Sequence, residues 1–375
     1  MPDFTCIQDL YTHIKNELDA PQNPDKARLW LLFACNTSGK TRLSEAFREE
    51  NEVPGEDNKI QVLCYNAFFE DYFHWDNEQL ILQFDKNSWV AKFIEDEGLE
   101  VQIVENLKKL INSKVSPEFD FEDGTISFGY YPGGDNIVPQ IKISRAEESL
   151  FIWCVFYTIL EHAIEILSEN KEERSTDVFN ELQYVIIDDP VSSMDDTRII
   201  TVALDLLRLV VKSNELENKL KILITTHHCL FYNIIHTRDG RKLGGISRKN
   251  YMLSKFDNNR LSLEEQKKDS PFAYHIFLLK EIRKAIDNNN IQKYHFNFFR
   301  AILEKTANFL GYLDGWSCLL PENENKRELV QMLNQYSHNN LAEIEVNVLR
   351  EDEKAIFIEV FNEFFTKFNW SINND

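Results

Sequence analysis

The feature that most restricts this chain is an apolar run, Leu29–Ala34, that ends in Cys35-Asn36-Thr37-Ser38-Gly39-Lys40-Thr41 and passes into a polar stretch with helical spacing, Arg42–Glu49. A strand, a glycine-containing loop and a helix in that order form a phosphate cradle. The loop N–H groups face phosphate oxygens at the helix N-terminus, the lysine reaches the terminal phosphates, and the Thr hydroxyl holds Mg²⁺. Lys40 and Thr41 take those two roles here. Asn36, Ser38, Gly39 and Arg42 are expected to complete the nucleotide contacts. Ala34 stands where the usual pattern has its first glycine.

Three further segments fit the same purpose. Tyr184-Val185-Ile186-Ile187-Asp188-Asp189 reads as a buried strand with carboxylates at its end, the Walker B pattern. Asp188 would contact Mg²⁺. Asp189 would polarise the attacking water, a role usually held by glutamate. Pro190–Asp196 follows as a D-loop. Ser144-Arg145-Ala146-Glu147-Glu148 precedes a long apolar helix, as an ABC signature does, with Arg145 and Ala146 in place of its glycines. Ser144 and Glu147 are therefore expected at a nucleotide, and the signature of one subunit closing over the nucleotide of another predicts a homodimer or higher oligomer. Thr225-Thr226-His227 follows an apolar strand, with His227 as the switch histidine. Each piece has a bland reading: Lys40 a surface lysine, Asp188 a strand-end carboxylate, Ser144 a helix N-cap, His227 a helix cap. Their order and placement favour an ATP or GTP site with Mg²⁺.

Charge narrows the partners. The 375 residues carry a formal net charge of −21, so broad binding to nucleic acid is disfavoured and any such site must be a local basic pocket. No apolar run reaches membrane-spanning length, because the best one, Leu150–Leu160, stops at Glu161. The N-terminus lacks the pattern of a signal peptide. Six cysteines without metal-ligand spacing read as reduced thiols of a cytoplasmic protein.

Alternating strands and helices up to about residue 260 predict an α/β fold with a mostly parallel sheet. Within it, Leu80 to about Val115 reads as helices, Phe121–Gly134 as a hairpin, and Tyr251–Leu261 as a final strand or hairpin. Residues 1–260 are expected to form an ABC-type P-loop ATPase domain and residues 261–375 a mostly α-helical domain. In the latter, Phe298, Phe299, Ile302, Leu303, Thr306, Phe309 and Leu310 are expected to form the buried stripe of a helix. Arg300 and Glu304, four apart, share its flank, and Ser337-His338 lies further on. On spacing alone Arg300 and Glu304 are an exposed helical ion pair. Chemistry offers an alternative. RNA cleavage without a metal needs a base for the 2′-OH, an acid for the leaving 5′-oxygen and a cation for the phosphate, and Glu, His and Arg supply that set.

Five segments carry a resemblance: YNAFFEDYFHWDNE (65–78), KISRAEESLFIWCVFYTIL (142–160), YVIIDDPVSSMDD (184–196), ITTHHCLFYNII (224–235) and YHFNFFRAILEKTANFLGY (294–312). Over nearly its whole length the chain resembles bacterial anticodon nucleases of the PrrC type. The resemblance implies an ATPase head joined to a helical ribonuclease module. It implies cleavage of a tRNA, typically a lysine tRNA, 5′ of the wobble base to 2′,3′-cyclic phosphate and 5′-OH ends. It further implies activation by GTP or ATP hydrolysis, stabilisation by dTTP, and a silent association with a type I restriction–modification enzyme in anti-phage defence. Carried over, the catalytic residues are Arg300, Glu304 and His338, working without a metal, and Asp269 and His275 are the tRNA contacts. Two other readings stay open: a regulatory or DNA-repair ATPase of the RecF or SMC kind without nuclease activity, and a drifted toxin acting as a scaffold. The absence of a sustained heptad run between Thr41 and Tyr184 counts against the SMC subclass.

Overall fold

The structure, a computed structural model, describes residues 2–20, 28–51, 59–111, 115–130, 138–192, 194–237, 246–255, 260–266, 274–312, 315–322, 325–338 and 349–370. The chain divides into two compact units, Met1–Pro271 and Phe272–Asp375.

The first unit runs β1 (Asp3–Phe4), α1 (Ile7–Asp19), β2 (Arg28–Ala34), α2 (Lys40–Glu49), β3 (Val62–Tyr65), α3 (Ala67–Glu70), β4 (Phe73–Asp76) and β5 (Ile81–Phe84). It continues through α4 (Trp89–Glu97), α5 (Glu100–Ile111), β6 (Val115–Asp120), β7 (Thr125–Tyr130), α6 (Arg145–Ser168) and β8 (Tyr184–Asp188). It closes with α7 (Asp196–Ser213), β9 (Lys221–Thr226), α8 (Cys229–Thr237), β10 (Ser247–Lys255) and β11 (Leu261–Glu265).

Seven strands form one sheet in the order β1-β11-β10-β2-β9-β8-β3. β10, β2, β9, β8 and β3 are mutually parallel, and β11 and β1 extend one side antiparallel. Alternation along β2 and β8 separates two apolar faces. Trp30, Leu32, Tyr184 and Ile186 pack with Leu10, Ile14 and Phe47 of α1 and α2. Val185 and Ile187 face the other way, lining a crevice with Leu160 and Ile164 of α6 and Leu206 and Leu209 of α7. With both faces covered, the central strands read as continuous apolar runs. Every parallel strand ends at the same edge, where ligands bind in open α/β sheets.

A second sheet, β4-β5-β7-β6, is antiparallel throughout. Phe151 of α6 packs against Phe73, Phe119 and Phe128 of that sheet. α6 is long and apolar enough to cross a bilayer by length and composition, yet it is mostly buried inside the unit. Such a helix, apolar on nearly all sides, is a core helix.

The second unit holds α9 (Tyr274–Asp287), α10 (Lys293–Leu310), a short 3₁₀ turn (Trp316–Leu319), α11 (Lys326–His338) and α12 (Glu351–Lys367). Its core joins Phe296, Phe299, Ile302 and Leu303 of α10 to Phe357, Phe361 and Phe364 of α12.

Four expectations change. Phe309 and Leu310, expected in the buried stripe, are 90% and 47% exposed, because they lie in the last turn of α10, past Ala307, the last residue that helix gives to the core. The boundary falls after residue 271, not 260, because β11 pairs with β10 and β1 and so belongs to the first sheet. The stretch expected to be helical from Leu80 opens with strand β5. The hairpin begins at Val115, six residues before Phe121, because β6 pairs with β7 from Val115↔Tyr130 to Asp120↔Thr125.

Candidate nucleotide site and candidate ribonuclease site

The loop after β2 is shaped for phosphate. Gly39, the N-cap of α2, has φ 101, a left-handed value that L side chains rarely adopt, and an added Cβ would meet Ile7 Cδ1 at 2.7 Å. Thr37 is also left-handed, φ 68. Lys40 is only 7% exposed. Its ammonium donates to Ala34 O at 3.1 Å, Cys35 O at 3.3 Å and Asn36 Oδ1 at 3.4 Å, and lies 3.7 Å from Asp189 Oδ2. The Ser38 hydroxyl donates to Cys35 O at 2.6 Å and braces the turn. Arg42 is exposed on α2.

Neighbouring strand ends deliver the carboxylates. Thr41 Oγ1 donates to Asp188 Oδ2 at 2.8 Å, and Thr225 Oγ1 donates to Asp188 Oδ1. Burial pushes the Asp188 carboxyl above its ordinary range; the two hydroxyl bonds oppose this, while the Asp189 charge adds to it. Asp189 is left-handed, φ 52, a conformation in which Asp is among the better tolerated residues. Its Oδ2 pairs with His227 Nδ1, while Oδ1 accepts from Thr226 Oγ1 at 3.2 Å and the His227 N–H at 3.3 Å. Burial would raise the Asp189 carboxyl, but the His227 bond and charge and the Lys40 charge outweigh it, and the net direction is down.

The structure thus gathers Asn36, Ser38, Gly39, Lys40, Thr41, Asp188, Asp189 and His227 at one sheet edge. The donor set suits Mg²⁺ with a nucleoside triphosphate: a hydroxyl on a carboxylate, a hard oxygen pair and a buried ammonium. Buried carboxylates pushed upward in the case of Asp188 would gain from a divalent cation beside them. Thr225 and Thr226 were the partners that motif reading passed over, although they adjoin His227. Asn66, at the end of β3, donates to Ser44 Oγ at 3.1 Å, and Ser44 Oγ donates to Thr41 O at 2.7 Å. A polar chain therefore runs from β3 to Thr41.

Ser144 and Glu147 bond to each other. The Ser144 hydroxyl accepts from the Glu147 N–H at 3.3 Å, and Glu147 Oε2 accepts from the Ser144 N–H and hydroxyl, both at 2.8 Å. This capping box starts α6, and both residues are part of its first turn rather than of the Lys40 cluster.

In the second unit, Arg300 Nε donates to Glu304 Oε1 at 2.8 Å and Nη1 donates to Asn334 Oδ1 at 3.1 Å. Its guanidinium lies 5.5 Å from the centroid of the Trp316 ring. Arg300 is therefore tied to α11 and is more than half of a surface ion pair. His338 ends α11 one turn beyond Asn334. The side chains of His338 and His275, and all of Asp269, lie outside the described residues. Among the described residues no group of three or more His, Cys, Asp or Glu could hold a metal ion.

The chain is 37% identical over 365 residues to the Escherichia coli protein named "Anticodon nuclease", covering 91% of this chain and 89% of that protein. The chain belongs to the anticodon nuclease family. The family model described as "AAA domain" also matches residues 136–366. Among solved structures, an Smc head bound to the C-terminal winged-helix domain of ScpA is similar at TM-score 0.34 and 10% identity, over 65% of this chain and 91% of that one. A Pyrococcus furiosus Smc head with an extended coiled coil gives TM-score 0.29 and 14% identity, over 53% and 40%. In this family member, the nucleotide motifs sit in the first unit and the Arg300–Glu304–Asn334 cluster in the second.

Proposed function

We propose that this chain is a nucleotide-controlled tRNA endoribonuclease that cuts an anticodon loop. The observation that carries the reading is the similarity to an anticodon nuclease along nearly the full length of both chains. It is supported by an arginine that α10 and α11 hold beside a carboxylate.

Arg300 is placed to take the charge of a pentavalent phosphate. Glu304, its side chain 46% exposed, can accept the proton of a ribose 2′-OH. The 2′-oxygen then attacks phosphorus, the bond to the 5′-oxygen breaks, and His338 gives that oxygen its proton. A 2′,3′-cyclic phosphate and a 5′-OH result, with no metal in the balance. The substrate proposed is a lysine tRNA cut 5′ of the wobble base, with Asp269 and His275 reading the loop. Bound Mg²⁺ with GTP or ATP supplies the free energy of phosphoanhydride hydrolysis. Lys40, Thr41, Asp188, Asp189 and His227 hold it, and the Ser144–Glu147 turn is offered to a nucleotide on a second subunit. A homodimer or tetramer in the cytoplasm, held silent beside a type I restriction–modification complex and stabilised by dTTP when released, completes the proposal as a defence toxin.

The test is to express the full chain and map new 5′-OH RNA ends. Cleavage should concentrate in one anticodon loop, vanish in Arg300→Ala and His338→Ala, and fall in Lys40→Ala. Absence of new ends with nucleotide hydrolysis intact would replace this reading with a regulatory ATPase of the RecF or SMC kind.

A further inference from the structure

The exposed side of α10 carries more aromatic surface than its fold requires. The core of the second unit takes Phe296, Phe299, Ile302 and Leu303 from this helix, all fully buried. Phe309 is 90% exposed and takes no part in that core. Tyr294 is 45% exposed, and Tyr312, just past the left-handed Gly311 cap, is 47% exposed. Tyr294, Phe298 (half-buried, with one side against the core), Lys305 and Phe309 follow one another at intervals of four, seven and four residues, so they form one stripe about 22 Å long on a helix rising 1.5 Å per residue. Tyr294 and Phe298 stand edge to face at 5.3 Å, which sets their ring orientation. Asn297 and Asn308 are exposed between this stripe and the Arg300–Glu304 flank.

We propose that this face of α10 is a stacking surface for the unpaired bases of a single-stranded RNA loop, presenting the loop to Arg300 and Glu304. Aromatic rings interleaved with amides and a lysine are the chemistry of loop recognition, since every base has a π-face and amides pair with base edges. Charge decides against the usual alternative. A chain with net charge −21 gains little from phosphate attraction over a broad surface, whereas stacking needs no net positive charge. A protein partner would be expected to cover aliphatic side chains as well. On this face the exposed neighbours of the rings are Asn297, Glu304, Lys305 and Asn308, and Leu310, the exposed aliphatic side chain of α10 at 47%, lies about 100° round the helix from Phe309. The inference rests on the proposed nuclease reading only for the identity of the RNA.

Binding is measured on the full-length Glu304→Gln protein, which is blocked in cleavage under the proposed mechanism. An anticodon stem-loop RNA carrying 2-aminopurine in its loop serves as the probe. Phe309→Ala should weaken binding about tenfold and abolish the fluorescence change of the loop base. Phe309→Trp should bind as the parent does, and Phe309→Leu should behave like the alanine variant. Because Phe309 lies outside the core, the helical circular dichroism of these variants should match the parent. Unchanged affinity in Phe309→Ala, or full affinity in Phe309→Leu, overturns the proposal. So does a change in sedimentation with RNA binding intact, which would assign the face to a second copy of the chain. If wild-type protein cuts an anticodon loop while the Phe309 variants bind normally, only the stacking surface falls. If wild-type protein cuts no tRNA but Phe309→Ala loses loop binding, the nuclease reading falls and the stacking surface stands.

Discussion

At the scale of single residues, the most informative side chain is Asp189. It follows Asp188 at the end of β8, where a water-polarising carboxylate is expected, yet its two oxygens already serve His227 and Thr226. To act on a water, Oδ2 must be shared with the imidazole. A shorter side chain held this way favours slow turnover. Asp189→Asn should therefore keep nucleotide affinity within a few-fold, because Lys40 retains its three loop oxygens. Hydrolysis should fall about a hundredfold, the usual size of a lost general base. Fluorescent nucleotide titration and phosphate release measure the two separately. Equal loss in both would show that Asp189 shapes the loop instead. Lys40 and Thr41 were legible from residue order alone, because the phosphate cradle is a local structure. Asn334 was not: it lies 34 positions from Arg300 and meets it only through the packing of α10 on α11.

At the scale of elements, the start of α6 separates two roles for one residue. Ser144 caps the helix, and removing an N-cap serine costs about 1 kcal/mol. If that is its only role, Ser144→Asn should restore a Ser144→Ala defect fully, since Asn caps as well as Ser. If the turn also meets a nucleotide on a second subunit, Ser144→Asn should recover melting temperature but not nucleotide hydrolysis. Thermal denaturation and steady-state phosphate release on both variants distinguish these outcomes. The same region shows what a sequence conceals. α6 could be read from its serine cap and unbroken apolar run, and β2, β8 and β9 from runs of apolar residues. β4 and β5 could not, because four residues are too few for a two-residue period to stand out. Their aromatic residues, Phe73 and Trp75, acquire meaning only when Phe151 and Phe128 lie against them.

At the scale of the whole molecule, acidity and acid stability are linked through the edge of the first sheet opposite the nucleotide motifs. There Asp19, closing α1, accepts from Lys15 at 2.9 Å, Lys221 at 2.6 Å and the Tyr184 hydroxyl at 2.5 Å. Burial would raise its carboxyl, but these bonds outweigh it and bring it down to about 2 from an ordinary 3.8. A carboxyl depressed by folding stabilises the folded state above its unfolded value and loses that contribution as pH falls through its folded value. Between about pH 4 and pH 2, the melting temperature of the wild type should drop more steeply than that of Asp19→Asn. Calorimetric scans across that window test it, and parallel slopes would remove Asp19 from the account.

The strand order of the large sheet also has a consequence for synthesis. β2 carries the phosphate loop but lies between β9 and β10, its partners from Lys221 and Ser247 onward. A nascent chain cannot give β2 either neighbour until more than half of the protein has left the ribosome, and long-range pairing of this kind forms slowly. β11, the last strand among the described residues, ends at Glu265, ahead of every residue of the second unit. Domains fold in the order they emerge. The unit that carries the phosphate loop can thus be complete before Arg300, Glu304 and His338 have left the ribosome, so the order of the strands also sets an order of assembly.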